Sequence, residues 1–223
     1  MRLVHSTSGI DLVLNEMTPS IVTIESIERF AELINELACQ YQGGDGNFVL
    51  SEKEKQLSLP KYSALIMNPF SVSCNEKKIV TKLYSELGEE ASGILAEQTA
   101  QVNAVLVDYL DRLTSRVHYP LQFDFELDIS GLLKLFDVKI NEIDTDLLSR
   151  LLSYMKLTHR VLGTRLFILV GIKNYFTDSQ LTDIYHECIN EKVLFLDFES
   201  RYIDKLEGEH HTLIDKDWCF IQL

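Results

Sequence analysis

Two apolar runs, TRLFILVGI at 164–172 and VLFLDFE at 193–199, decide the fold. A strand with one wet face alternates apolar and polar residues. Continuous runs of this length predict strands covered on both faces, as in a parallel sheet. Between them, Thr177-Asp178-Ser179-Gln180 has capping-box spacing, in which the Thr hydroxyl and the Gln side chain satisfy free amides at a helix start. The helix it opens carries Leu181, Ile184, Tyr185 and Cys188 on one face. Strand, crossover helix and strand form a right-handed βαβ unit, which requires a larger sheet around it.

Working outward, the N-terminal stretches LVH, IDLVL and SIVTI read as short strands separated by turns at Ser8-Gly9 and Thr18-Pro19. Ser26 is placed to cap a helix through Ile27, Phe30, Ile34, Leu37, Ala38 and Tyr41, which Gly43 and Gly44 stop. Gly43-Gly44-Asp45-Gly46 lacks the Lys-Ser/Thr ending of a phosphate loop and follows a helix rather than a strand, so it reads as a turn. FVLSEKEKQLS (48–58) alternates weakly, and SALIM (63–67) reads as a buried strand ending at Asn68-Pro69. Asn75 is then placed to cap a helix carrying Ile79, Val80, Leu83, Tyr84 and Leu87.

Leu95, Thr99, Val102, Leu106, Tyr109 and Leu113 recur at steps of four and three. That stripe predicts one projecting, coiled-coil-like helix over 89–118, roughly 40 Å long at 1.5 Å per residue, ended by Tyr119-Pro120. QFDFELD (122–128) and a short helix through Leu132, Leu133, Leu135 and Phe136 follow. A helix from about Asp144 to Leu162, stopped by Gly163, leads into the first apolar run, and HTLID and WCFIQL form a final hairpin turning at Lys216-Asp217. The outline is a mixed α/β head with a partly parallel sheet, residues 1–82 plus 143–223, interrupted by an α-helical leg insertion, 83–142.

The 223 residues carry a formal net charge of −13, which by itself argues against a partner with a phosphate backbone. No signal peptide or membrane-length apolar run is visible, which predicts a cytoplasmic location. Cys39, Cys74, Cys188 and Cys219 are too widely spaced for a zinc site or a disulfide framework and read as buried free thiols.

VLFLDFE also has the form of a Walker B strand, placing Asp197 and Glu199 where open α/β sheets bind ligands. A divergent nucleotide hydrolase using these carboxylates is one reading, but the chain has no loop to hold phosphates and no nucleotide is expected. His186-Glu187 fails the zinc-protease pattern because residue 190 is Asn. Asp124, Glu126 and Asp128 alternate, so in an extended segment they share one side and, with Asp108 or Asp111, are the candidate calcium ligands. The plainer alternative is an exposed acidic face with Phe123, Phe125 and Leu127 packing beneath it. No catalytic constellation stands out, and a DNA-independent scaffold dimerising through the long helix is a further alternative.

LLKLFDVKI (132–140), TRLFILVGIKNYFT, VLFLDFE and LIDKDWCFI (213–221), in that order, resemble the C-terminal half of the Csn-two proteins of type II-A CRISPR adaptation modules. The N-terminal strands, the helix ending in CQYQ and SALIMNPFSVSCNEKKIVTKLYSEL (63–87) resemble the first part of that family. The resemblance implies a head similar to a degenerate P-loop ATPase without a nucleotide site, and long helical legs. It implies a non-catalytic tetrameric ring that holds double-stranded DNA ends through lysines facing its hole. It also implies calcium near the head–leg hinge, and joint action with integrase proteins and the effector nuclease during spacer acquisition. A ring negative outside and positive inside reconciles this with the acidic total. Charge density nominates Lys77, Lys78, Lys82, Lys156, Arg160, Arg165 and Lys173 as the DNA-facing cations; for Lys77, Lys78 and Lys82 the plainer and favoured reading is a solvated helix face.

Overall fold

The computed structural model of the chain describes residues 1–142 and 146–223. In chain order the elements are β1 Arg2–His5, β2 Asp11–Val13, β3 Ser20–Ile24, α1 Ile27–Tyr41, β4 Phe48–Glu52, β5 Lys55–Leu57, α2 Leu59–Tyr62 and β6 Ser63–Ile66. Three helices follow, α3 Lys77–Ser92, α4 Ala96–Thr114 and α5 Ile129–Leu135. The chain then runs through α6 Leu147–Leu162, β7 Leu166–Val170, α7 Asp178–Asn190, β8 Leu194–Glu199, β9 His210–Ile214 and β10 Phe220–Gln222.

Cα packing divides these into two compact units, Met1–Cys74 with Glu142–Leu223, and Asn75–Asn141. The first boundary thus lies ahead of α3 rather than at residue 83. Asn75 explains it: its amide donates to Ile140 O at 3.0 Å and accepts from Ile140 N at 2.9 Å, joining the two ends of the helical unit. Asn75 therefore does not cap α3, whose N-cap is Glu76. On the α/β side, Ser73 Oγ and the Cys74 amide both donate to the Glu142 carboxylate.

The α/β unit is a mixed-sheet fold. Its six-stranded sheet has the order β10-β9-β3-β8-β7-β6, parallel at every junction except β10 against β9. A second, four-stranded antiparallel sheet runs β2-β1-β4-β5. Leu166, Ile168, Leu194, Leu196, Phe198, Val22, Ile24 and Ile214 point to one face of the large sheet and pack with Leu3, Phe48 and Leu50 of the antiparallel sheet and Leu33, Ile34 and Leu37 of α1. β7 and β8 are adjacent and parallel with α7 between them in the chain, so the βαβ reading holds. FVLSEKEKQLS folds instead as the hairpin β4–β5, turning on Lys53 and Glu54 at φ 47° and 66°. Positive φ at both turn residues matches strand twist, but Asn-Gly is the usual signal, and its absence hid the hairpin.

Local chemistry sets several boundaries as the sequence predicts. Ser26 accepts from the Arg29 amide, and Gly163 ends α6 at φ 71° in the left-handed region. The start of the helix expected near Asp144 lies outside the described residues; Asp146 is the observed N-cap. The capping box forms, with Thr177 Oγ1 accepting from Gln180 N and Thr177 N donating to Gln180 Oε1. Thr177→Ala is expected to lower stability by about 1 kcal/mol in urea denaturation, the usual cost of losing an N-cap.

The helical unit corrects the single long helix. α3 ends at Ser92, Gly93 leaves the helical basin at ψ −100°, and α4 begins at Ala96 and runs 19 residues, about 28 Å. Thr99 Oγ1 donates to Ala91 O at 2.9 Å. Along a continuous helix those residues would be about 12 Å apart, so α4 folds back on α3. Tyr84 Oη donates to Val138 O at 2.9 Å and ties the end of α5 to α3. The apolar stripe stays uncovered: no α4 residue is buried, and Val102, Tyr109 and Leu113 are 47%, 59% and 50% exposed. Among the described residues no helix is long and apolar enough to cross a membrane.

Candidate functional site

Strand periodicity puts acid inside. Leu194, Leu196 and Phe198 face the apolar core, so Phe195, Asp197 and Glu199 must face the other side of the sheet. Register brings Ile21 and His211 level with Asp197, and Thr23 level with Glu199. α7 covers this second face, where Tyr185 meets Phe195 edge-on at 5.1 Å. Asp197 is fully buried and Glu199 is 2% exposed. The expected ligand-facing carboxylates are thus interior groups.

Backbone amides of the turn after β7 hold them. Ile172 N donates to Asp197 Oδ1 at 3.3 Å and Lys173 N to Glu199 Oε1 at 3.0 Å. Among the described residues nothing hydrogen-bonds to Asp197 Oδ2. Burial raises the Asp197 pKa well above the usual carboxylate range, and the Glu199 charge adds to it; Glu199 is also raised, chiefly by burial. Burial without a partner for Oδ2 thus favours the neutral form of the Asp197 carboxyl over its charged form.

Lys173 completes the cluster. Its side chain is 2% exposed and pairs at 2.8 Å with Glu209, whose side chain is fully buried. Glu209 also accepts from Tyr185 Oη at 2.6 Å and Leu206 N at 2.9 Å, so its charge is fully engaged. His211 is buried, with Nε2 2.8 Å from Thr23 Oγ1 and Nδ1 unpartnered. Burial, then the nearby Lys173 charge, lowers its pKa and keeps the ring neutral. Tyr202 stacks over it at 5.7 Å, nearly parallel.

Lys173 is therefore corrected from a candidate DNA contact to an internal counter-ion, because reaching a phosphate would strip Glu209 of its partner. The other nominated cations of this unit are also engaged. Arg165 is bidentate with Glu52 at 2.8 and 2.6 Å. Lys156–Glu187 at 3.1 Å and Arg160–Glu191 at 2.6 Å join α6 to α7 or the residue that ends it. In the helical unit Lys82 lies 4.0 Å from Glu86. Lys77 and Lys78 are exposed, with no carboxylate at ion-pair distance among the described residues.

The candidate calcium ligands do not converge. Residues 122–128 form no strand, and Asp124, Glu126 and Asp128 are exposed. Asp108 is paired with Arg112 at 3.0 Å. Among the described residues no group of His, Cys, Asp and Glu side chains assembles as a metal site. This arrangement does not fit an ion that takes six to eight oxygen ligands. Phe125 is 68% exposed, so it does not pack beneath these carboxylates either. Of the thiols, Cys74 and Cys188 are buried, while Cys39 and Cys219 are exposed.

A profile of the CRISPR-associated protein (Cas_Csn2) family matches residues 40–218. The chain belongs to that family. A CRISPR-associated role follows from membership. No curated protein sequence matches the chain. Among solved structures it is similar to one named "Putative ABC transporter (ATP-binding protein)" from Pyrococcus furiosus, at 7% identity over 91% of this chain and 88% of that one, with a TM-score of 0.36. At that score the likeness carries no argument.

The matched Cas_Csn2 span contains the buried cluster apart from Thr23, including Glu209, Tyr185, His211 and Tyr202, which reading the sequence did not nominate. The helical spacing places Tyr185 on a buried face but carries no sign of the charge it meets there. Glu209 precedes a strand in a polar stretch, and only the topology carries it back under Lys173, 36 residues away in sequence.

Proposed function

We propose that this Cas_Csn2 protein is a non-catalytic, cytoplasmic adaptation protein. In this reading it binds ends of double-stranded DNA without reading sequence, as a homotetrameric ring, and acts with CRISPR integrase proteins and the effector nuclease. Family membership over residues 40–218 is the observation that carries this reading. The uncovered α4 stripe supports self-association, because an amphipathic helix normally buries its apolar face. Lys77 and Lys78, exposed at the start of α3, are the nominated cations left available for phosphate. The nucleotide-hydrolase reading gains nothing from Asp197 and Glu199, which are buried rather than open to a substrate.

Gel shifts with linear and circular duplexes of equal length across a salt series test this, together with light scattering for mass. A preference for free ends, and affinity that falls steeply with salt, is the expected result. Lys77→Glu with Lys78→Glu is expected to weaken binding about tenfold or more at roughly 0.1 M salt and to flatten the salt slope, with the tetramer intact. Equal affinity for both duplexes would refute end recognition, and self-association without any DNA binding would favour a scaffold.

A further inference from the structure

Parallel neighbours in a sheet need a crossover, and a helix usually covers the face it passes. Between β7 and β8 that cover is α7. Between β8 and β9, which flank β3, residues 200–209 have no helix or strand. This irregular segment lies over the polar face through three attachments. Tyr202 stacks on His211, the Asp204 carbonyl accepts from Lys173 Nζ at 3.3 Å, and Leu206 N donates to Glu209. Beneath it, Asp197 Oδ2 and His211 Nδ1 are buried without hydrogen-bond partners among the described residues.

We propose that residues 200–208 form a proton-controlled strap, latched by the Lys173–Glu209 pair and released when Asp197 and Glu199 both become charged. While one of the two is protonated, the buried face holds the other carboxylate and Glu209 as anions against the Lys173 ammonium, an excess of one negative charge. Loss of that proton makes the excess two. A second buried charge needs either water or a cation. The Lys173 ammonium is the mobile cation within reach, and turning toward Asp197 loosens its grip on Glu209 and on the Asp204 carbonyl. Water enters most readily through the cover that has no ladder or helix hydrogen bonds of its own.

The groups facing this pair from every packed element agree with that direction. Tyr185 of α7 stays a neutral donor, its pKa raised by burial first and the Glu209 charge second. His211 of β9 stays neutral, and Lys205 of the strap itself donates outward to Leu223 O. None supplies a new positive charge as pH rises. The released strap uncovers an acidic crevice lined by Asp197, Glu199 and Glu209.

Hydrogen exchange read by mass spectrometry tests the strap in the full chain, across the whole pH range over which it stays folded, with rates corrected for intrinsic exchange. Protection of the strap amides is expected to fall about tenfold or more across that range while protection of the β8 amides holds. In Asp197→Asn, and independently in Glu199→Gln, the pair can carry only one charge, so the strap is expected to stay protected throughout. Wild-type protection that does not change with pH would overturn the proposal, as would an equal fall in a folded variant.

Discussion

Lys173→Met is expected to lower the unfolding free energy of the α/β unit by about 3–5 kcal/mol, the range for removing one member of a buried ion pair. The wild-type ammonium is 2% exposed against a fully buried Glu209 carboxylate, so the loss cannot be made good by solvent at either end. The cost comes mostly from what remains. Glu209 would keep its bonds from Tyr185 and Leu206 but would have no counter-charge, beside the negative Glu199. Methionine fills most of the space of the lysine stem, so little of the effect is cavity. Urea denaturation of the single variant, of Glu209→Gln, and of the double variant closes a thermodynamic cycle. The double variant is expected to recover a large part of the loss, because no uncompensated charge is left. If Lys173→Met costs under about 1 kcal/mol, the pair is solvent-screened as surface pairs are, and its assignment as an internal counter-ion fails.

The same lysine shows where reading the sequence succeeds and where it stops. Rules spanning a few residues worked: Ser26 and Thr177 cap, Gly163 stops a helix, and the two apolar runs are parallel neighbours. Rules that require a partner far along the chain failed. Lys173 looked like a free cation because Glu209 reaches it only through the order of the sheet. Arg165 looked free because Glu52 is 113 residues earlier. The α4 stripe was legible as a pattern, but nothing in its four-three spacing revealed that the helix breaks at Gly93 and folds back. Heptad spacing describes a face and not its continuity. VLFLDFE read as uniformly buried, and it is; that its acidic residues share the inner face with Phe195 follows from strand period two, once the burial of both faces is taken literally.

That inner face makes stability depend on pH with an uncommon sign. Asp197 ionises near its ordinary value, about 3.9, in the unfolded chain, whereas burial first and Glu199 second hold it protonated far higher in the fold. Over the interval between those values the unfolded state has released a proton that the folded state retains. Folding stability is therefore complete below the ordinary value and falls by about 1.4 kcal/mol per pH unit until the folded-state value is reached. Other groups act oppositely. Glu52 is lowered, first by its hydrogen bonds from Arg165, and His211 is lowered by burial, so their contributions are lost as pH falls. The wild-type protein is expected to be most stable on the mildly acidic side of neutrality. Asp197→Asn reproduces the shape of the protonated acid but has no proton to lose. Its chemical-denaturation profile should match wild type at acid pH and diverge upward as pH rises. The gap should widen by up to about 1.4 kcal/mol per unit, while the acid-side decline stays unchanged. Parallel profiles for the two proteins across the whole range would mean that Asp197 is charged in the fold, and that the buried pair is held by solvent or an ion rather than by protonation.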